Sequence, residues 1–247
     1  MAARNAAAGW PPLASLHLVL FSRAPVPGQT KTRLCPPLTP AQAVAVHVAC
    51  LNDLLAEGRA WAAARRASGG IPVSLHLCIT PAASQTAFRA AGVAWPNDYA
   101  LHNQRGPHLG TRMEHAIRRA QRDAPAPAGV LLVGSDLPLL GAAQWDAAAD
   151  ALATADAVFG PTPDGGYYLV GTRRDPVGLF ALQGWGGTTV LEQSLAAARA
   201  AGFQPALIEA LPDADTAADL HAVLAHARAA ALADRASLRL IRELLRT

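Results

Sequence analysis

A chain of 247 residues and 25.6 kDa can bury a full core without disulfide or metal staples, which excludes a mini-protein scaffold and leaves one large domain or two small ones. Alanine supplies 57 residues, so the 51% hydrophobic content overstates the apolar area, and no apolar run approaches bilayer length, so no membrane insertion is expected. The 21 basic residues nearly balance 18 acidic ones, and the arginines are scattered, which argues against a nucleic-acid partner.

Residues 1–12 are alanine-rich, with Asn5 and Pro11-Pro12, and lack the continuous apolar run of a signal peptide. They read as a floppy tail ahead of one domain over residues 13–247, and a cytoplasmic protein is expected. Leu16 to Phe21 predicts the first strand, and Thr39-Pro40-Ala41-Gln42 has the form of a capping box opening a long helix to about Arg66. Val73 to Ile79 is the second strand, and Thr80-Pro81 is expected to open a helix that Gly92 ends. Gly110 to Arg122 reads as helix, Gly129 to Val133 as a buried strand and Ala142 to Ala153 as helix. Ala157 to Gly160 and Tyr167 to Gly171 are strands around the turn signal Asp164-Gly165-Gly166. A helix from Thr189 to Ala201, a strand near Ala206 to Glu209, and helices from Thr216 and Asp234 complete the chain. Strands alternating with helices predict an α/β domain with a mostly parallel central sheet flanked by helices. Cys35, Cys50 and Cys78 form no C-x-x-C pair and are expected as reduced thiols, mostly buried.

In such sheets ligands sit beyond the carboxyl ends of the strands, which directs attention to the loops there. The loop from Arg23 to Leu34 carries Pro25, Gly28, Arg33 and Lys31, which is the single lysine among 21 basic residues. An ammonium and a guanidinium approach anions differently, so Lys31 and Arg33 suit a di- or triphosphate unless the loop is merely a solvated basic segment. Asp136, in Gly134-Ser135-Asp136-Leu137-Pro138, ends an apolar strand with one carboxylate. It either holds a Mg²⁺ (or Mn²⁺) bridging phosphates or caps a helix near Pro138. In Asp213 to Asp219, Thr216 and Asp219 fit the cap and third position of a helix, which leaves Asp215 for metal or as electrostatic decoration.

Asp164, beside Gly165 and Gly166, is either a turn residue or an acceptor-side base, with Tyr167 following at the strand start. Gln104 to Gly110, which includes Gly106, precedes a helix and suits a nucleotide base or an anion, and Trp185 is expected near the acceptor. Eight histidines without zinc spacing, and the absence of G-x-S-x-G, of a Walker loop and of G-x-G-x-x-G after the first strand, argue against other chemistries.

Five segments in this order resemble the radical-SAM/selenodomain-associated transferases, GT-A-like relatives of the nucleotide-diphospho-sugar transferases. They are Arg23-Ala24-Pro25 to Leu34, Gly106 with Leu109 to Met113, Gly134 to Pro138, Pro161 with Asp164 to Leu169, and Asp213 to Leu220. The resemblance implies a GT-A fold, a nucleotide over the first strand's loop and a divalent ion near Asp136. Arg23 stands where the family often has lysine, and Gly186-Gly187 follows Trp185 where relatives have serine or threonine. The expected activity is metal-dependent transfer of a glycosyl group from a nucleotide-diphospho-sugar to a small-molecule acceptor, with Lys31, Asp136 and Asp164 catalytic. Ser135-Asp136 in place of a D-x-D motif resembles instead the phospholactate guanylyltransferases. That keeps nucleotidyl transfer with pyrophosphate release as the alternative, and a nucleotide-binding module without turnover as a third.

Overall fold

The computed structural model describes residues 10–82, 84–122, 124–182, 184–229 and 234–246. The strands are β1 (Ser15–Arg23), β2 (Val73–Thr80), β3 (Ala100–Asn103), β4 (Ala128–Gly134), β5 (Ala157–Pro161), β6 (Tyr167–Thr172) and β7 (Pro205–Leu207). They form one seven-stranded sheet in the order β3-β2-β1-β4-β6-β5-β7, parallel except for β6, which runs antiparallel to β4 and β5. The helices are α1 (Pro40–Ala67), α2 (Gln85–Ala90), α3 (Leu109–Arg122), α4 (Ala142–Thr154), α5 (Val190–Ala200), α6 (Ala217–Ala229) and α7 (Ala236–Leu244). None of the described helices is long and apolar enough to cross a membrane.

Strand β1 shows why this is a three-layer fold. Leu16, Leu18 and Leu20 point into a core shared with α1, α4 and α7, while Val19 joins a second core with Met113 and Ile117 of α3. A central parallel strand buried on both faces reads as a continuous apolar run, which is how Leu16 to Phe21 reads. The Thr39–Gln42 capping box forms as its spacing predicts: Gln42 N donates to Thr39 Oγ1 at 3.3 Å and Thr39 N to Gln42 Oε1 at 2.8 Å. All three cysteines are free thiols; Cys50 and Cys78 are buried and Cys35 is partly so.

Two elements differ from the sequence reading. The helix expected at Thr80-Pro81 begins at Gln85, because Thr80 is held extended by pairing with Arg23 and its carbonyl accepts from Ala24 N at 2.7 Å. Strand β3 was not expected, since Ala-Leu-His-Asn has no alternation; it exists by pairing with β2. That pairing also gathers histidines that lie far apart in the chain. Neighbouring strands set His17, His76 and His102 in a row, with His17 Nδ1 and His76 Nε2 2.9 Å apart and His76 Nδ1 and His102 Nε2 3.1 Å apart. Of the expected tail, residues 1–9 lie outside the described residues. The guanidinium of Arg173 sits 5.1 Å from the Trp10 ring centre and donates to Pro11 O.

Candidate active site

Chain order reverses direction across the sheet between β1 and β4, since β2 and β3 build outward on one side and β4 starts the other. Such a switch point opens a crevice at the carboxyl ends of the two strands. A cavity of about 550 Å³ lies there, within the range of small-molecule sites.

The loop after β1 is anchored rather than floppy. Thr30 is buried and donates from Oγ1 to Ala24 O at 2.6 Å, and Leu34 is fully buried and bonds back through its N–H to Lys31 O at 3.0 Å. Between these anchors Lys31 adopts φ +55°, the positive value that among the described residues it alone shares with glycines. A non-glycine residue in this region carries strain of about 1–2 kcal/mol, so surrounding contacts must hold it there. They turn its side chain inward until only 5% is exposed.

Strand β4 supplies the first acidic partner. Asp136 does not cap a helix: α4 starts at Ala142 behind Gly141, and the carboxylate Oδ2 accepts from Lys31 Nζ at 2.6 Å. Gly134 leaves the room this needs, because a Cβ there would lie 2.9 Å from Asp136 Oδ1. The second partner arrives from far along the chain. After β7 the backbone tracks back over the strand ends, with Ile208 N bonded to Phe159 O, Leu211 N to Pro161 O and Ala214 N to Asp136 O, each at 3.0 Å. The next residue, Asp215, sets Oδ1 3.4 Å from Lys31 Nζ and Oδ2 on Arg33 Nη1. Thr216 and Asp219 form the expected box, with Thr216 N donating to Asp219 Oδ2 at 2.7 Å, so Asp215 stands just outside α6.

Burial works against the Lys31 ammonium, yet Asp136 and Asp215 hold it above the usual lysine range. Burial likewise opposes the Asp136 carboxylate, and Lys31 keeps it below the usual carboxylate range. Asp213, beside them in the cavity wall, is pushed up to about 7 by burial and by the Asp136 charge.

His47 of α1 also lines the cavity, a residue the sequence reading missed. Its Nε2 lies 3.2 Å from Arg23 O and 3.3 Å from Ser22 Oγ, and its buried Nδ1 has no hydrogen-bond partner. Burial pushes its imidazole down to about 4, with Lys31 and Arg23 adding to the effect against the pull of Asp136. A histidine that is neutral in the folded protein takes up a proton more readily when unfolded. Its contribution is therefore complete above pH 6.5 and is lost as pH falls toward 4. Urea titrations across that window are expected to show wild type losing about 3 kcal/mol more than His47→Gln. Parallel pH profiles for the two proteins would refute this account of His47.

Of the expected site residues, Arg23, Lys31, Gln104, Asp136, Asp164, Gly166, Tyr167, Trp185 and Asp215 line the cavity. Gln104 Nε2 donates to Ser22 O and Cys78 O, both at 3.1 Å, which fixes it across the ends of β1 and β2. Asp164 serves as a turn residue as well: Oδ1 accepts from Thr162 Oγ1 at 2.6 Å and from Gly166 N at 3.1 Å. Pro25, Gly28, Arg33, Gly106, Gly110 and Gly165 are not in the wall. Arg33 binds Asp215 instead of facing the cavity, and Gly110 makes room for Trp185, whose Cζ2 would lie 2.7 Å from a Cβ there. Gly106 O accepts from Arg112 Nε at 2.9 Å, and Arg112 itself lines the cavity together with Asp213; both were part of the motifs quoted above but were assigned no role.

Among solved structures, a candidate nucleotide-diphospho-sugar transferase from Desulfovibrio desulfuricans G20 superposes with a TM-score of 0.79. It is 27% identical, over 92% of this chain and 94% of its own. CMP:2-keto-3-deoxy-manno-octonic acid synthetase complexed with CTP matches with a TM-score of 0.51 at 11% identity, over 87% of this chain and 99% of its own. The 4-diphosphocytidyl-2C-methyl-D-erythritol synthase from Anaerococcus prevotii DSM 20548 matches at 0.50 and 8% identity, over 87% and 97%. At such low identity these last two speak to the α/β fold alone. No curated protein sequence matches. A family model described as uncharacterized proteins conserved in bacteria (DUF2064) matches residues 63–187, half of the chain from the end of α1 through Gly187, and the chain belongs to that family.

Proposed function

We propose that this chain is a metal-dependent transferase that moves a glycosyl group from a nucleotide-diphospho-sugar to a small-molecule acceptor. The observation that carries this reading is the convergence of Lys31, Asp136 and Asp215 at the switch point, beside a cavity of about 550 Å³. The likeness to the D. desulfuricans transferase supports it. Kinship with the radical-SAM/selenodomain-associated transferases rests on the ordered motifs from Arg23 to Leu220 and not on these matches.

The donor set suits a hard cation. Asp136 and Asp215 offer carboxylate oxygens to one point already taken by a positive group, the Lys31 ammonium acting as stand-in ion. No cluster of three or more histidine, cysteine or acidic side chains able to hold a metal occurs among the described residues. Two carboxylates complemented by phosphate oxygens and water match the habit of Mg²⁺ or Mn²⁺. Bound there, such an ion supplies neutralisation of charge on the departing diphosphate. Arg23 and Gln104 are proposed to take the nucleotide side, Arg33 to orient Asp215, and Asp164, Tyr167 and Trp185 to line the acceptor side.

Nucleotidyl transfer is the second reading. What favours it is that β4 ends in one carboxylate paired with a late aspartate, without a D-x-D motif. A panel of nucleotide sugars and nucleoside triphosphates with Mg²⁺ or Mn²⁺ separates the two. Nucleoside diphosphate release, suppressed to background by EDTA, is expected; pyrophosphate release would replace the first reading by the second. Release of neither product from any donor would remove both.

A further inference from the structure

Resting on the transferase reading, we infer that Lys31 is an internal counter-ion that closes the Asp136–Asp215 pair and yields it to a divalent cation only when a polyphosphate draws the ammonium away. The geometry leaves little alternative for a cation arriving alone. Lys31 Nζ is 2.6 Å from Asp136 Oδ2 and 3.4 Å from Asp215 Oδ1, so it stands where an ion bridging these carboxylates would have to sit. Asp215 Oδ2 is taken by Arg33, which leaves Oδ1, the oxygen nearest Lys31, as its contribution to a shared ion. Two cations cannot occupy that point together, because their repulsion in a half-buried site is far larger than in water.

An ammonium on a flexible four-carbon stem can leave, whereas a guanidinium locked in a bidentate pair would not do so readily. This gives the single lysine in a chain of 20 arginines a role that arginine would fill poorly. Arg23 and Gln104 line the same cavity and give an arriving polyphosphate a place from which to attract Nζ. The consequence is positive coupling: cation and polyphosphate each bind more tightly in the presence of the other, by the same factor.

The test measures Mn²⁺ binding at buffered free Mn²⁺, by electron paramagnetic resonance and calorimetry, on wild type and on Lys31→Met. Each is taken with and without ADP, CDP, GDP or UDP. For wild type, weak Mn²⁺ binding tightened about tenfold or more by a diphosphate is expected. For Lys31→Met, Mn²⁺ alone is expected to bind about tenfold tighter than to wild type, and the diphosphate, left with only its own oxygens to offer the ion, to add less than it does to wild type. Unchanged or weaker Mn²⁺ binding in Lys31→Met would overturn the inference; should that variant not fold, Lys31→Gln serves, and equal wild-type Mn²⁺ affinity with and without a bound diphosphate overturns it as well. If no nucleoside diphosphate binds either protein, the transferase reading fails, while Mn²⁺ alone on wild type against the variant still decides the counter-ion role.

Discussion

Asp136→Asn is expected to lower transfer by about 100-fold or more, while the protein keeps its fold. The amide occupies nearly the same volume, so packing at the end of β4 is preserved and the change is one of charge. Lys31 then keeps only the longer ion pair, to Asp215 at 3.4 Å, and a cation between the two side chains has one carboxylate instead of two. Removing one partner of a wholly buried pair destabilises by several kcal/mol. The Asp136 side chain is 35% exposed, so water screens the loss and about 1–2 kcal/mol is expected. Initial rates of product release and a urea titration read the two effects separately. Wild-type turnover in this variant would remove Asp136 from the chemistry, and a loss of stability large enough to unfold the protein would make its role structural.

The second large effect is expected at Gly165, which does not line the cavity but sets the wall that does. Its φ is +88°, and a Cβ there would lie 1.9 Å from Thr188 O, a backbone atom with no freedom to swing aside. Its carbonyl also accepts from Leu191 N at 2.8 Å, so the turn after β5 and the start of α5 are joined at this residue. Gly165→Ala is expected to cost about 2–4 kcal/mol from backbone strain and overpacking together. It should displace the segment carrying Trp185, Gly186 and Gly187 and weaken acceptor use more than nucleotide binding. Gly186→Ala is the control: its φ is +91° with nothing within 4 Å of the added Cβ, so only strain of about 1 kcal/mol remains. Equal melting temperatures for the two variants would show that the contact with Thr188 does not govern this wall.

Much of the frame was readable because each signal is local. The Thr39–Gln42 and Thr216–Asp219 boxes follow from side chains three residues apart, and β1 and β4 from apolar runs of strand length. Strand β3 and the row of His17, His76 and His102 were not readable, because they are products of pairing between residues 24 or more apart in the chain. His47 sits mid-helix in α1, and nothing in its neighbours marks the face it turns to the cavity. Gly110 and Gly165 carry the same letter as a ligand-approach glycine, yet one accommodates an indole ring and the other a carbonyl.

By itself the sequence determined the alternation of strands and helices, the loops at the strand ends and the residue types able to meet a phosphate and a cation. All of these follow from spacing along the backbone and from side-chain chemistry. Only the tertiary structure decided that Lys31 faces the two aspartates. That outcome depends on a left-handed backbone at Lys31, on the path of residues 208–215 over the strand ends and on the bond from Ala214 N to Asp136 O. Charges far apart in sequence interact only once the backbone has brought them within a few ångströms, and burial then makes each partner's charge depend on the other.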